Sequence, residues 1–536
     1  HLLEKERLHI RDIAQKLDIS PARVSTAIQL FGNYGLVKEY KDKNRTMITL
    51  NQESTLLKNM LQVLGSNESS PHETTIRLFD TISPLDFRYY GRNEAMVNAL
   101  QPYLSENALI KAMVSVEIAL TNTLAKKNIC TKKIAQEIEQ AAKKVTADEV
   151  YREEDRLKHN VRALVNCIRN KVSEEARPYI HFTTTSHHIV APADAYRYKE
   201  FTNNILLPSL IKLEKTLIEL ALREKNTLQI GRTHGQHAVP ITFGFAIAQY
   251  VSRLGHTIVS IRKTGNDLRG KIAGAVGSYN ASSLFFDDPE EFERMVLAEL
   301  NLKPSPISTQ IPEHEYMVAY VNAIVTCFGV LANLSDDMRH LQRSEIGEVG
   351  EAFAEKQVGS STMPQKRNPI NFENVKSMWK EMMPRMITLY SDQISEHQRD
   401  LTNSASLRFV PEILTGLYVS ITRINKTMSN LVVDKGNLKK NFDMNKGLIV
   451  AEPLYILLAA HGHPSAHETV RLLTLKSQQQ KRPLQELILK EKDITPYVRK
   501  FSKKQLAIIK DPSAYTGIAG KKTQSICMFW KKELGV

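Results

Sequence analysis

The chain has 536 residues, 42% hydrophobic and 24% charged, which is the composition of a soluble protein with a large core divided among about three or four domains. Its formal net charge is +14, most of it after Ile421, and such a basic region can attract nucleic acid or an anionic small substrate. No apolar run approaches the length of a membrane span and the cysteines lack metal-ligand spacing, so we expect no membrane partner, no metal site and a reducing, cytoplasmic location.

The first 75 residues differ in pattern from the rest. Caps, turn signals and apolar periodicity predict a helix over 9–17, a turn over 18–20, a helix from Ser20 and Pro21 to Tyr34, and strands over 35–40 and 45–50. This order resembles a winged helix-turn-helix domain with Arg23, Ser25 and Thr26 on its exposed face. Such domains mostly bind DNA, but the small net charge here equally favours a protein contact or an inert role. A polar linker is predicted over 67–71.

From about Thr81 onward the pattern is helical almost throughout. Apolar residues recur every three or four positions over residues 199–224, 240–268, 315–344, 372–397 and 406–432. Helices this long suggest an extended bundle, enlarged further by oligomerisation. We predict a mainly α protein with a winged-helix-like α/β domain at 1–75, a first helical domain at 80–198, a central long-helix bundle at 199–440 and a third domain at 441–536.

A polar loop from Gly359 to Glu373 separates two of the helical stretches. Pro364 and Pro369 break its periodicity, its hydroxyl and amide groups can bind carboxylates, and Lys366 can neutralise one. A connector that caps the next helix would also be polar. However, the run Ser-Ser-x-Met-Pro-x-Lys-x-Asn-Pro resembles the signature loop of the fumarase/aspartase superfamily, whose members cleave a C–N or C–O bond and release fumarate.

Further segments resemble, in the same chain order, the motifs of the adenylosuccinate lyase family. They are Ser83-Pro-Leu-Asp-Phe-Arg-Tyr89, Lys158-His-Asn-Val-Arg-Ala163, His181-Phe-Thr-Thr-Thr-Ser186, Gly231-Arg-Thr-His-Gly-Gln236, Ser308-Thr-Gln-Ile-Pro-Glu-His314, His397-Gln-Arg-Asp-Leu-Thr402, Ala451-Glu-Pro453 and Asp511-Pro-Ser-Ala-Tyr-Thr-Gly517. The resemblance covers about residues 80 to 536 and excludes the N-terminal segment. It implies the superfamily fold, a long-helix bundle with smaller helical domains at each end.

The reaction that the resemblance implies is a β-elimination that splits fumarate from a succinyl-amine. It needs a base for the carbon-bound proton, an acid for the departing nitrogen, and fixed donors for the developing negative charge. By resemblance, Ser361 is the base, with Ser360 the weaker candidate, and His234 is the acid. A serine alkoxide must be stabilised by loop closure and local donors.

The resemblance also implies a set of substrate-binding residues. Lys366 and Asn368 would hold the succinyl carboxylates, with Thr185, Ser186 and Gln310 assisting. The remaining members are the nucleotide-phosphate and base contacts Arg88, Tyr89, Arg399, Ser404 and Arg408, the histidines His159 and His181, and the loop residues Ser360 and Met363. No cofactor is implied. The expected assembly is a homotetramer with active sites shared between subunits.

Three departures from the family pattern stand near these residues. Asn160 replaces the usual aspartate after His159, and His187-His188 replaces the family's x-Asp after Thr-Ser. An expected asparagine or aspartate near Val190–Ala191 is also missing. These changes leave the implied base and acid intact, but they affect positions that contact substrate in the family.

The leading hypothesis is cleavage of adenylosuccinate to AMP and fumarate, and of the succinylated aminoimidazole carboxamide ribotide to its free carboxamide and fumarate, in purine nucleotide biosynthesis. One alternative is a paralogous lyase that acts on another succinyl-amine. Another is a purine-responsive DNA-binding regulator, although a sensor would not need to keep both Ser361 and His234.

Overall fold

The computed structural model describes residues 8–42, 45–58, 77–353 and 360–536. The chain divides into two compact units, His1–Thr81 and Ile82–Val536. The predicted linker over 67–71, the last two residues of the predicted turn over 41–44, and Gly359 of the signature loop lie outside the described residues.

The N-terminal unit combines two helices with a small antiparallel sheet. Its elements are β1 (Leu8–His9), α1 (Ile10–Leu17), α2 (Pro21–Asn33), β2 (Val37–Asp42) and β3 (Arg45–Leu50). The strand order is β1-β3-β2, so β3 is central. The predicted helices and hairpin are therefore present, while β1 is too short to leave a sequence signal. The winged-helix interpretation of these elements stays a prediction.

Capping side chains explain where the two helices begin. The His9 ring accepts the Arg11 N–H at 3.2 Å, and the Ser20 hydroxyl accepts the Arg23 N–H at 3.5 Å. The second helix packs Val24 and Ile28 towards the sheet in a small apolar cluster. The strand expected at residue 35 starts at residue 37 because Gly35 takes a positive φ of 67° that ends the preceding turn.

The larger unit begins with a group of helices. They are α3 (Glu94–Leu104), α4 (Glu106–Lys126), α5 (Lys132–Ala142), α6 (Ala147–Leu157), α7 (Asn160–Arg169) and α8 (Ser186–Phe201), and π-helical turns occupy Leu85–Gly91 and Thr202–Leu206. The α4 helix packs against both α5 and α8, and α6 packs against α7. These contacts bury one apolar face of each helix in a shared core.

The central part carries the longest helices. Its elements are α9 (Leu207–Arg223), β4 (Leu228–Thr233), β5 (Gln236–Thr242), α10 (Phe243–Asn266), β6 (Arg269–Gly270), α11 (Pro289–Ala298), β7 (Lys303–Pro304), α12 (Glu315–Leu341), β8 (Val349–Gly350), α13 (Ile370–Met382), α14 (Arg385–Ser391), α15 (Val410–Ser429) and β9 (Val432–Val433). Helices α9, α10, α12, α13 and α15 pack on one another. The prediction of a mainly α fold around a long-helix bundle is confirmed.

Two of the predicted long helices have different bounds in the structure. The stretch predicted over 372–397 is divided into α13 and α14 because Pro384 cannot donate a backbone N–H to the preceding turn. The stretch predicted over 199–224 joins the end of α8, the π-helical turn and α9, which has Pro208 in its first turn. Apolar periodicity continues through both interruptions, so it hides them.

The C-terminal part is a smaller helical region with its own apolar core. Its helices are α16 (Lys435–Ile449), α17 (Ala451–Ala460), α18 (Ala466–Gln480), α19 (Leu484–Ile488), α20 (Thr495–Val498), α21 (Lys503–Lys510) and α22 (Ala519–Leu534). The last helix returns to the bundle, where Trp530 covers Gly255. A Cβ atom at Gly255 would lie 2.3 Å from the Trp530 ring, so this docking needs glycine.

Two segments, Glu94–Lys126 and Glu315–Leu341, are long and apolar enough to cross a membrane by length and composition. The expectation that no apolar run approaches the length of a membrane span is therefore wrong by this criterion. In each, 67% of the most apolar window is buried against neighbouring parts of the protein, as in the core helices of soluble proteins. The cysteines Cys130, Cys167, Cys327 and Cys527 are also buried and not disulfide-bonded.

Glu214 is an exception to the apolar character of the bundle core. Its side chain on α9 is fully buried, and neither carboxyl oxygen has a hydrogen-bond partner among the described residues. Burial raises the pKa of Glu214 to about 9, so the group is protonated and neutral in the folded protein at pH 7. In the unfolded chain the same carboxyl ionises near its ordinary pKa, which opposes folding.

We predict that replacing Glu214 with Gln stabilises the protein at neutral and alkaline pH. The wild type loses stability as pH rises from about 4.5 to 9, because only the unfolded chain releases the proton; the difference should reach about 3 kcal/mol at pH 7 and vanish below about pH 4. Thermal denaturation between pH 5 and 9 tests this, with Glu219→Gln, an exposed position on the same helix, as control. Equal pH profiles for Glu214→Gln and wild type would contradict the prediction.

Candidate active site

A cavity of about 1070 Å³ lies between the first helical group and the central bundle. Its volume is at the upper end of small-molecule sites. Five of the residues expected from the sequence to bind substrate line it: His159, Ser186, Gln310, Ser404 and Arg408. The others do not line this cavity: Arg88, Tyr89, His181, Thr185, His234, Ser360, Ser361, Met363, Lys366, Asn368 and Arg399.

His159 and Ser186 meet at the wall of the cavity. The His159 Nδ1 accepts the Arg162 N–H at 3.2 Å and thereby caps α7. Because Nδ1 is an acceptor, the proton of the neutral ring is on Nε2, which lies 3.3 Å from the Ser186 hydroxyl. The cap therefore fixes both the ring orientation and the tautomer of His159, so that its N–H side faces Ser186.

His181 is held by a buried carboxylate that the sequence reading missed. Glu117 on α4 accepts the His181 backbone N–H at 3.1 Å, and its other oxygen lies 2.7 Å from the His181 Nδ1. Nδ1 is thus the donor, and Nε2 is left to accept or carry a proton. Glu117 stands alone as an acid on an apolar helix between Glu106 and Lys126, and that isolation was the available signal.

The glycine-rich segment after β6, residues 274–280, packs closely against the segment that contains Ser308 and Gln310. Gly277 has a φ of 87°, and a Cβ there would lie 1.8 Å from the Ser308 carbonyl oxygen, so no side chain fits. The Gln310 N–H donates to the Gln398 carbonyl at 3.2 Å, which joins this segment to the one that carries Arg399. Residues from three distant parts of the chain are therefore fixed together.

Arg399 is a cation with unused donors. Its Nε and Nη2 atoms are buried and make no hydrogen bond to a described residue. Burial lowers the pKa of Arg399 from its ordinary value, although Asp400 and Asp392 partly offset this. An anion bound at the guanidinium would satisfy the donors. Arg88 is exposed, and the Tyr89 hydroxyl lies 3.4 Å from the Asn374 amide nitrogen, which donates to it.

His234 occupies the tip of the β4–β5 hairpin. His234 and Gly235 have positive φ values of 53° and 74°, the geometry of a tight two-residue turn. The ring is exposed at the tip.

Strand β4 of this hairpin is held by Glu348, a fully buried carboxylate next to β8. Arg232 on β4 donates to it twice, at 2.6 and 3.1 Å, and Gln229 donates at 2.8 Å. Asn441 on α16 donates a further bond at 2.9 Å. A buried carboxylate is stable only when its acceptor positions are filled in this way, so Glu348 locks the hairpin to the body of the protein.

The signature loop is exposed from Ser361 to Arg367. The Ser360 hydroxyl accepts the backbone N–H groups of Thr362 and Met363 at 3.4 and 3.1 Å, so it serves as the cap of a turn. Lys366 extends from the same exposed turn. The geometry gives Ser360 a local structural task, which favours Ser361 over Ser360 as the reacting hydroxyl.

A second buried carboxylate, Glu351, fixes the exit from this loop. It accepts the backbone N–H groups of Asn371 and Phe372 at 2.9 and 3.0 Å and the Asn371 side-chain amide at 2.6 Å. These are free N–H groups at the start of α13, where a negative charge is favourable. Glu351 therefore sets where α13 begins and where Asn368 and Pro369 enter it.

The departures from the family pattern cluster at the cavity. Asn160, His187 and Ala191 line its wall, and His188 is buried behind His187. Burial, with Arg399 and Lys271 nearby, lowers the pKa of His187 to about 4, so its ring is neutral at pH 7. Within the described residues no group of three or more potential ligands could hold a metal ion. The metal-free expectation stays a prediction.

Comparison with known proteins agrees with the fold and these motifs. A family model described as Lyase matches residues 87–383, and one described as Adenylosuccinate lyase C-terminal matches residues 395–516. Solved structures with the same fold include a fumarate lyase from Mesorhizobium sp. BNC1, with 22% identity, a TM-score of 0.70 and coverage of 80% of this chain and 97% of that one. A 3-carboxy-cis,cis-muconate lactonizing enzyme from Pseudomonas putida has 23% identity and a TM-score of 0.71, with coverage of 82% of this chain and 98% of that one. The fold and the motifs define a lyase of the fumarase/aspartase superfamily.

Curated relatives narrow the assignment. Adenylosuccinate lyase from Archaeoglobus fulgidus is 32% identical over 457 residues, which cover 84% of this chain and 99% of that protein. The enzyme of the same name from Pyrococcus abyssi is 34% identical over 423 residues, with coverage of 78% and 92%. The chain belongs to the adenylosuccinate lyase family.

We predict that Glu348→Gln lowers the stability of the folded protein and displaces the hairpin that carries His234. Removing this charge leaves Arg232 buried without its partner, which should lower the free energy of unfolding by about 3–5 kcal/mol. Urea denaturation measures the loss, and limited proteolysis of residues 228–242 reports the hairpin. Glu345→Gln, at an exposed position three residues earlier, should change neither; a Glu348→Gln variant as stable as that control would refute the anchor.

Proposed function

We propose that this protein is a C–N lyase of purine nucleotide biosynthesis. It cleaves adenylosuccinate to AMP and fumarate, and the succinylated aminoimidazole carboxamide ribotide to its free carboxamide and fumarate. The observation that carries the proposal is the identity of 32% and more to enzymes named adenylosuccinate lyase over 78–84% of the chain. This length of similarity favours the proposal over a lyase for another succinyl-amine and over a regulator without activity.

The chemistry assigns one task to each of two residues. Ser361, as an alkoxide, removes a proton from the succinyl CH2 carbon, which neighbours the carbon that bears the nitrogen. The electron pair is delocalised into the carboxylate attached to that CH2 carbon. When the C–N bond breaks, this pair forms the double bond of fumarate and the nitrogen takes a proton from the His234 imidazolium. Atoms and charge balance without an external oxidant or reductant.

The remaining site residues divide between the two ends of the substrate. Lys366 and Asn368 hold the succinyl carboxylates, and Thr185, Ser186 and Gln310 assist them. Arg88, Tyr89, Arg399, Ser404 and Arg408 bind the nucleotide phosphate and base. The unused donors of Arg399 and the presence of Ser404 and Arg408 at the cavity support this division.

The active site requires an assembly of subunits. His234 is at an exposed hairpin tip and Ser361 is on an exposed loop, and neither lines the cavity that holds His159 and Ser186. We therefore propose a homotetramer in which hairpin and loop reach cavities of neighbouring subunits. Shared sites also explain why short motifs are dispersed over more than 300 residues.

Two further proposals concern the environment of the enzyme. Four buried thiols and no disulfide among them suit a reducing cytoplasm. The N-terminal unit exposes Arg23 and Thr26 on α2, which suits contact with DNA or with another protein. Neither contact is needed for the elimination itself.

We predict that Ser361→Ala abolishes turnover while Ser360→Ala reduces it much less. Loss of the base should lower kcat by about three orders of magnitude or more, since no neighbouring group replaces the alkoxide. Release of fumarate from adenylosuccinate, followed by absorbance, measures both variants. Wild-type protein that is folded but releases no fumarate would overturn the proposed function, and an active Ser361→Ala variant would overturn the role of Ser361.

Mixing experiments test the shared site. Ser361→Ala and His234→Ala proteins should each be nearly inactive, but a mixture unfolded together and refolded should regain activity, because some assembled sites then combine an intact serine with an intact histidine. If both residues come from one subunit in each site, every hybrid site has one defect and activity stays at background. Light scattering on the wild type checks the expected tetramer mass.

A further inference from the structure

Lys271 is a fully buried cation that the proposed mechanism does not use. It follows β6 and is completely enclosed. Its Nζ donates to the Gly274 carbonyl and, at 2.9 Å, to the Gln310 carbonyl. One ammonium group thus fixes the glycine-rich turn to the segment that presents Gln310 to the cavity.

His188 is a fully buried neighbour of this group on α8. Its Nδ1 accepts the Thr185 N–H at 3.0 Å, completing a capping box at the start of the helix. Its Nε2 lies near the Gly274 carbonyl but has no well-formed hydrogen bond to a described residue. Burial, followed by the Lys271 charge, lowers the pKa of His188 to about 3, so the ring is neutral.

Together the two side chains connect three segments of the candidate site. His188 holds the backbone of Thr185, which precedes Ser186 at the cavity, and Lys271 holds Gln310. Lys271 donates to the Gly274 carbonyl, and the His188 Nε2 lies near the same carbonyl without a well-formed hydrogen bond to it. A change at either residue therefore acts on positions that the proposed function assigns to the succinyl group.

The charge of Lys271 has no carboxylate bonded to it among the described residues. The closest acid is Glu293 on α11, whose oxygens are taken by the Ile272 N–H and the Tyr279 hydroxyl. Burial lowers the pKa of Lys271 to about 8, and Glu293 only partly offsets this. The other titratable groups that face this region are His181, His187 and Arg399, and the carboxylate of Glu117 on α4 is bonded to His181 rather than to Lys271.

We propose that His188 and Lys271 form a positioning pair that also sets substrate affinity: they hold the backbones of Thr185 and Gln310, and the Lys271 charge, to which no carboxylate of the described residues is bonded, attracts the succinyl carboxylates. The inference rests on the proposed function. The family pattern has aspartate at position 188, and an aspartate here would compensate Lys271. Neither side chain lines the cavity itself, so the region behind the cavity wall is more positive in this chain than that pattern gives.

A double-mutant cycle tests the pairing without using activity. The variants are His188→Asp, Lys271→Met and the double variant, with melting temperature as the readout. The aspartate carboxylate can still accept the Thr185 N–H of the capping box, and it can also pair with the Lys271 ammonium group. His188→Asp should therefore preserve or raise the melting temperature. In the Lys271→Met background the same aspartate is buried without a partner and should lower it by several degrees. Additive shifts would overturn the pairing.

Kinetics on adenylosuccinate test the effect on affinity. His188→Asp should raise KM about tenfold and change kcat less than about threefold, because the carboxylates are present in both ground and transition states. Wild-type kcat/KM should fall above about pH 8 as Lys271 loses its proton, and His188→Asp should move that fall upward by about one pH unit or more. An unchanged KM and an unchanged alkaline limb in His188→Asp would overturn the proposal.

Two controls separate the possible failures. Lys271→Arg keeps the charge and the hydrogen-bond donors, so it should retain most of the substrate affinity even if Lys271→Met folds poorly. If a folded Lys271→Arg variant loses as much affinity as Lys271→Met, a role for the charge is contradicted. Lys133→Met, at an exposed lysine on α5, should leave KM and melting temperature unchanged. Wild-type protein without turnover would defeat the proposed function alone, since the melting-temperature cycle would still decide the pairing.

Discussion

Two buried carboxylates three residues apart, Glu348 and Glu351, determine where the proposed acid and base stand. Glu348 receives bonds from Arg232, Gln229 and Asn441, and Glu351 receives those from the start of α13. Burying an unpaired carboxylate costs several kcal/mol, so alternative placements of the hairpin or of the helix start leave a charge unsatisfied. The short strand β8 that they flank pairs with β9, which fixes this segment to the end of the bundle.

An active site built between subunits requires side chains that are exposed on the surface of one subunit but held in place by buried contacts within it. His234 and Ser361 are both exposed, but His234 lies two residues beyond Arg232, which Glu348 binds, and Ser361 lies ten residues before Asn371, which Glu351 binds. A tip that moved freely would lose the geometric advantage of a positioned acid or base. The bundle can therefore supply precision to groups that lie outside its own cavity, and the long helices are the structural means of holding them at the right separation.

The part of this architecture that is local in sequence was predictable, and the part that depends on tertiary contacts was not. Ser20 and Pro21 mark the start of α2 because capping and proline geometry act within one turn. The break at Pro384 was missed because apolar spacing continues on either side of it. Glu117, Glu348 and Lys271 left little signal, since the partners that join them to other segments lie 39 to 119 residues away. Motif resemblance names candidate residues for one site, and the structure separates those that line the cavity from those at exposed tips.

The residues that set the charge of the cavity wall differ from the residues proposed for proton transfer, Ser361 and His234. Substrate affinity and the elimination step can therefore change independently. Asn160 and Ala191 stand where the family pattern favours an acid or an amide, and both line the cavity; His188 replaces the family's aspartate and is buried next to His187, which lines the cavity as well. The residues proposed for proton transfer are elsewhere and unaltered. Removing negative charge from a partly enclosed, low-dielectric wall strengthens the attraction of an anion at every nearby point. A substrate that carries a phosphate and two carboxylates benefits from that change without any change in how its C–N bond is broken, and for this reason the departures are compatible with an unchanged elimination.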